Sequence, residues 1–187
     1  MKKKIFISLT AIGLVMAIET PEYKLLEKHG KVEIREYQSI TVAVTKVQQH
    51  YKPALNEGFR RIASYIFGGN DKEMKIAMTA PVISTQLDRE EETHEVLFVM
   101  PREHQFDKLP RPNLQSVQLE ERRFSKVASI SFGGWATVER ASYYKQKLKK
   151  KVDELGLETQ GNYMVAQYNS PWAIPPFRKN EILIRIK

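Results

Sequence analysis

The 187-residue chain has no cysteine. Disulfide scaffolds, thiolate metal centres and cysteine nucleophiles are therefore excluded. Glycine and proline number 9 each, too few for collagen-like or low-complexity architecture. Neither a Gly-x-Ser-x-Gly elbow nor a Gly-x-Gly-x-x-Gly turn occurs, so serine-hydrolase and dinucleotide signatures are absent. The four histidines, His29, His50, His94 and His104, are scattered without metal-ligand spacing, and exposed loops are their expected place. His50, just before the first expected helix, is the one weak candidate for a metal. Apolar residues make up 42% and charged residues 28%, the balance of a globular chain long enough to bury a core.

Acid is missing from residues 1–17, MKKKIFISLTAIGLVMA. Lys2, Lys3 and Lys4 form a basic start, Ile5–Met16 an apolar run, and Val15-Met16-Ala17 a small-residue cleavage site. This is the layout of a secretory signal peptide, and the run is shorter than the ~20 residues that span a bilayer. The expectation is an exported protein, periplasmic or secreted, with residues 18–187 as one domain and no stable membrane span after cleavage. The formal net charge is +8; those three lysines carry three of it, leaving +5 for the remainder. Such a surplus favours anionic partners in general. Nucleic acid is not expected. Lys145, Lys147, Lys149, Lys150 and Lys151 spread around the second expected helix instead of forming one basic face.

The rest of the chain repeats itself. Val32-Glu33-Ile34-Arg35-Glu36 matches Val117-Gln118-Leu119-Glu120-Glu121, and Val42-Ala43 matches Val127-Ala128, at an offset of 85. Glu95-Val96-Leu97-Phe98 matches Glu181-Ile182-Leu183-Ile184 at an offset of 86. The order is the same in both halves, about 30–101 and 115–187. Each half reads as two strands, a helix and two more strands. Val32, Ile34 and Glu36 alternate, as do Val42 and Val44 after a break at Gln38-Ser39. Leu55, Phe59, Ile62, Ala63 and Ile66 form one helical stripe ended by Gly68-Gly69, and Tyr144, Leu148, Val152 and Leu155 form another ended by Gly156. Strands are expected at Lys75–Gln86, Glu95–Met100, Asn162–Tyr168 and Asn180–Lys187, with an acidic hairpin tip at 88–92. Two ββαββ units can satisfy each other's open edges. The expected fold is α+β: a distorted eight-stranded antiparallel β-barrel flanked by two α-helices, with pseudo-twofold symmetry and a groove at the junction.

Four segments carry a family resemblance: Val32-Glu33-Ile34-Arg35-Glu36-Tyr37, Lys75-Ile76-Ala77-Met78-Thr79-Ala80-Pro81-Val82, Tyr168-Asn169-Ser170-Pro171-Trp172 and Arg178-Lys179-Asn180-Glu181-Ile182. They resemble the SOUL/heme-binding protein family over nearly all of residues 19–187. The resemblance implies the same barrel, similar to the effector-binding domains of bacterial regulators. It also implies non-covalent binding of haem or another tetrapyrrole in an apolar cleft beside the first helix. Some members carry a His, proposed as an iron ligand, where this chain has Glu36, a poor ligand for haem iron. Binding would then rest on ring and propionate contacts.

A tetrapyrrole needs an apolar wall, aromatic contacts and cations at the rim. Phe59 and Ala63 sit at the edge of the first helical stripe, with Asn56 and Arg60 on its flank. The loop 170–178 supplies Trp172, Ile174, Phe177 and Arg178. Phe59, Ala63, Trp172, Ile174 and Phe177 are the expected ring contacts; Arg60 and Arg178 are the expected partners of carboxylates. Met78 reads as core. No catalytic residue is expected. The alternative enzyme reading is a small cleft hydrolase acting on an activated ester or lactone, with Glu36 or Glu121 as base. A third reading is an interaction module without a small ligand.

Overall fold

A computed structural model describes residues 18–85, 93–170 and 172–187. The expected signal segment, the acidic tip and Pro171 lie outside the described residues. The elements in chain order are β1 (Tyr23–His29), β2 (Val32–Gln48), α1 (Tyr51–Ile66), β3 (Val82–Thr85), β4 (Thr93–Val99), β5 (Val117–Gly133), α2 (Val138–Glu154), β6 (Thr159–Gln167) and β7 (Lys179–Ile186). The strands run antiparallel in the order β1-β2-β4-β3-β6-β7-β5, and β2 also pairs with β5. That last pairing closes a six-stranded barrel and leaves β1 as an added edge strand.

The expected α+β barrel with two helices is present, but the strand count is corrected from eight to six plus one. The expected pairs of short strands are each one continuous strand of 17 residues, β2 and β5. The two are each other's partner from Val32↔Ile130 to Thr45↔Val117. The pair Gln38–Phe124 is missing from the ladder between Tyr37↔Ser125 and Ser39↔Arg123 while the register stays the same on both sides, and Ser125 takes φ 53°. The ladder passes through this irregularity instead of ending at it.

Alternation sorts the side chains into three apolar layers. Val42, Val44, Leu97, Val127, Met164 and Leu183 fill the barrel interior. Ala43, Val96 and Phe98 point the other way and meet Ile62, Tyr65 and Ile66 of α1. Ala128, Ile130, Ile182 and Ile184 meet Ala141, Leu148 and Val152 of α2. Helix α1 lies close on the sheet because Gly58 has no side chain; a Cβ there would stand 2.5 Å from Val96 Cγ2. After α1, buried Asn70 ties the turn together, donating to the carbonyls of Tyr65 and Met74 and accepting from the amides of Lys72 and Met74. Thr137 caps α2 by accepting from the Arg140 amide, and Gly156 at φ 66° follows its last turn.

Candidate functional site

The sequence-derived residues fall into two groups. On α1, Asn56 and Arg60 are exposed and Phe59 and Ala63 half-buried. Their spacing puts all four on one stripe beside the core-facing Ala54, Gly58, Ile62 and Tyr65. Arg60 reaches back to Glu57 but keeps most of its side chain in water. His50, the N-cap of α1, is exposed and makes no side-chain cap.

The second group is the loop between β6 and β7. Trp172 is 91% exposed, Ile174 59% and Phe177 74%, three large apolar groups displayed within six residues. Their backbone is held firmly. Asn169 Oδ1 accepts from the Lys179 amide, and the Trp172 amide donates to Ser170 Oγ. Ala173 N–H bonds the Ser170 carbonyl at 3.0 Å, and Phe177 N–H bonds that of Ile174 at 3.1 Å. Arg178 is buried beneath the loop. Its Nε donates to the Ala173 carbonyl at 2.8 Å and its guanidinium stacks 3.7 Å from the Trp135 ring centroid. The structure thus places Arg178 as a support inside the loop, not at an exposed rim.

The two groups are linked through β3. Val82, packed against the α1 cluster, is the register partner of Gln167, the last residue before the loop. The connection from α1 to β3 also carries Met78, which is 45% exposed and not core as expected. The residue after it accounts for this: Thr79 turns inward to donate to the Val99 carbonyl, so its neighbour points out.

The two candidate bases of the hydrolase reading lie apart. Glu36 and Glu121 are both exposed; Glu36 pairs in register with Lys24 and Lys126, and Glu121 with Thr41. Their β2 register positions are five residues apart, roughly 16 Å along a strand. They do not share a cleft. Among the histidines, His94 departs from expectation: it is buried on β4. No group of three or more metal-ligating side chains occurs among the described residues.

Sequence reasoning missed a buried ionic cluster at one end of the barrel interior. Arg35 donates to both oxygens of Glu181 at 2.8 and 2.9 Å and to Glu33 at 2.6 Å. Tyr168 and Ser131 also donate to Glu181, at 2.6 and 2.9 Å. Burial alone would raise the Glu181 carboxyl; the Arg35 guanidinium, the Tyr168 hydroxyl and Lys179 outweigh it and hold it down at about 2. Burial and the Glu181 charge push the Tyr168 hydroxyl far up, so it stays a donor. A signal was available in the repeat. Glu95 occupies the matching place in the first half and also binds an arginine, Arg122, at 3.3 Å. A glutamate kept in both copies directly ahead of an apolar run, Val96-Leu97-Phe98 and Ile182-Leu183-Ile184, marks an inward ion pair.

Comparison with known proteins agrees with this architecture. The model of the family described as SOUL heme-binding protein matches residues 18–185. Human heme-binding protein 2 is 35% identical over 165 residues, covering 83% of this chain and 80% of that protein. Heme-binding protein 1 of Xenopus laevis is 30% identical over 179 residues, covering 91% and 93%. Among solved structures, the EcmrR C-terminal domain aligns with a TM-score of 0.64 at 13% identity, over 88% of this chain and 98% of that one. A hydrolase from Listeria innocua aligns with a TM-score of 0.59 at 9% identity, over 84% and 92%. At such identities these two likenesses are of fold alone. The chain belongs to the SOUL heme-binding protein family.

Proposed function

We propose that the protein binds haem or a related tetrapyrrole non-covalently, for carriage, buffering or sequestration, without a strong axial ligand to iron. The observation that carries this is the rigidly supported loop exposing Trp172, Ile174 and Phe177 in a chain of this family. Exposed aromatic groups on a fixed backbone lose little entropy when a flat ring covers them. The α1 stripe supplies the second wall through Phe59 and Ala63. Asn56 and Arg60 beside it suit a propionate, and Arg178 keeps the loop in shape from beneath. The relatives named heme-binding proteins 1 and 2 support the ligand class. The amino-terminal segment supports export to the periplasm or beyond.

Titration with hemin and with iron-free protoporphyrin, followed by the Soret band and tryptophan quenching, tests the reading. Equal affinity for both is expected, since ring contacts would supply the binding. Trp172→Ala and Phe59→Ala should each weaken both ligands about tenfold, the scale of one lost aromatic contact. His50→Ala should change neither. Absence of saturable binding below about 10 μM overturns the proposal.

A further inference from the structure

On the side of the barrel that faces α2, the ends of β1, β2, β5 and β7 surround a cavity of about 460 Å³. That volume lies within the ~300–1,000 Å³ of small-molecule sites. Its wall includes Phe132, whose ring stacks on that of Tyr144 with centroids 4.6 Å apart and planes 13° apart. Lys28, Lys31, Arg178 and Lys179 stand around it, and Glu33 is the lone acid in its lining. Glu33 is already occupied, by Arg35 at 2.6 Å and by Lys28 at 3.3 Å; burial raises its carboxyl, and these two cations outweigh that and leave it lowered overall. Behind it, Glu181 is bound by Arg35, Tyr168 and Ser131, and Lys179 stands 3.5 Å from it. Two carboxylates thus stand against five cations, Lys28, Lys31, Arg35, Arg178 and Lys179, and the field at the opening is cationic on balance.

The cations are positioned by the fold. Lys28 and Lys31 flank the tight turn at Gly30, which takes φ 63° between the register pair His29↔Val32. Lys179 is fixed opposite Gly133 by the β5–β7 ladder. Arg178 is held by Trp135 and the Ala173 carbonyl. We infer that this cavity is a second ligand site, separate from the α1 stripe, that takes a small flat aromatic anion bearing more than one carboxylate, phosphate or sulfonate group. The ring would lie along the Phe132–Tyr144 wall and the acidic groups would meet Lys31, Lys179 and Lys28. The inference does not rest on tetrapyrrole binding, because no α1 residue lines the cavity.

The test uses 1,3,6,8-pyrenetetrasulfonate as probe, since its charges keep it out of an apolar cleft. Fluorescence titration of the full mature chain should show saturable one-to-one binding that weakens as salt rises. Lys31→Glu with Lys179→Gln should weaken it at least about tenfold. Tyr144→Ala should weaken it by removing the stacked wall. Protoporphyrin affinity should be unchanged in the double lysine variant, and Arg60→Glu should leave probe binding as it was. If Tyr144→Ala unfolds the chain, the two lysine changes at exposed positions still decide the matter. No saturable binding up to about 1 mM, binding indifferent to the two lysine changes, or binding lost equally with Arg60→Glu would each overturn the inference.

Discussion

Glu181 shows how much a single buried charge can demand. Its side chain is fully buried, and its five surrounding polar groups (Arg35, Tyr168, Ser131, Lys179 and, through Arg35, Glu33) come from three different strands and the loop edge. Removing one partner leaves the other uncompensated in the interior. Arg35→Met is therefore expected to cost about 3–5 kcal/mol, read from denaturant unfolding. Replacing both, Arg35→Met with Glu181→Leu, should recover part of that loss, since no uncompensated charge of the pair stays inside, although Glu33 and the Tyr168 and Ser131 hydroxyls each lose a partner. The pH dependence has a definite sign. The carboxyl is held at about 2 against an ordinary value of 4.5, so its contribution is complete above 4.5 and disappears as pH falls toward 2. Thermal melts of the wild type should lose stability through that window. In Glu181→Gln the acid limb should be flatter and the neutral-pH melting point lower. An equally steep acid limb in that variant would assign the effect to other carboxylates.

At the scale of elements, Gly58 sets how α1 sits on the sheet and so where its outer stripe stands. In a free helix alanine is favoured over glycine by about 1 kcal/mol. Here a Cβ would come within 2.5 Å of Val96 Cγ2, below any real contact. Overpacking of this kind costs about 1–3 kcal/mol, so Gly58→Ala should lower the melting temperature despite its better helix propensity. It should also weaken porphyrin binding, because Phe59 and Ala63 move with the helix. A melting temperature equal to or above that of the wild type would show that the helix can lift freely.

The same elements show what the sequence made legible. Both helices and their stops could be read because their apolar residues recur at helical spacing and glycines follow them. Phe59 and Ala63 do lie at the edge of the buried stripe, with Asn56 and Arg60 outside it. The duplicated order of strands was visible in short apolar matches. Strand β1 was not: Lys24-Leu25-Leu26-Glu27 does not alternate, because an edge strand with both faces largely exposed has no core side to pattern. The break expected at Gln38-Ser39 is polar for a different reason from a turn; it marks an irregularity inside a continuous ladder. The repeat marks Glu181 as an inward charge, but the partner that completes the ionic cluster was not legible, for want of long-range pairing. Nothing local says that Arg35 will meet a residue 146 positions away.

For the molecule as a whole, the duplication has a mechanical consequence. The longest ladder in the barrel, β2 with β5, joins the two halves, and β3 with β6 joins them again. Within the first half, β2 and β4 pair only over Val42–Gln48, and β4 carries β3 on its other edge. A separated first half would therefore expose one whole side of β2 and leave the interior face of Val42, Val44 and Leu97 in water. Each half also lacks the opposite partner for its ionic end: Arg35 lies in the first half and Glu181 in the second. Cutting the chain in the exposed turn between Glu103 and Gln105 should thus give fragments without a cooperative melt when alone. The cut leaves Leu109 and Pro110 on the second fragment, where Leu109 docks into the α1 cluster and Pro110 accepts from the Tyr65 hydroxyl. Mixing the fragments should restore near-ultraviolet circular dichroism and a single transition, at a midpoint that rises with fragment concentration. A first fragment that melts cooperatively by itself would mean that one repeat is a sufficient folding unit, and that the closed barrel is an assembly of two finished parts.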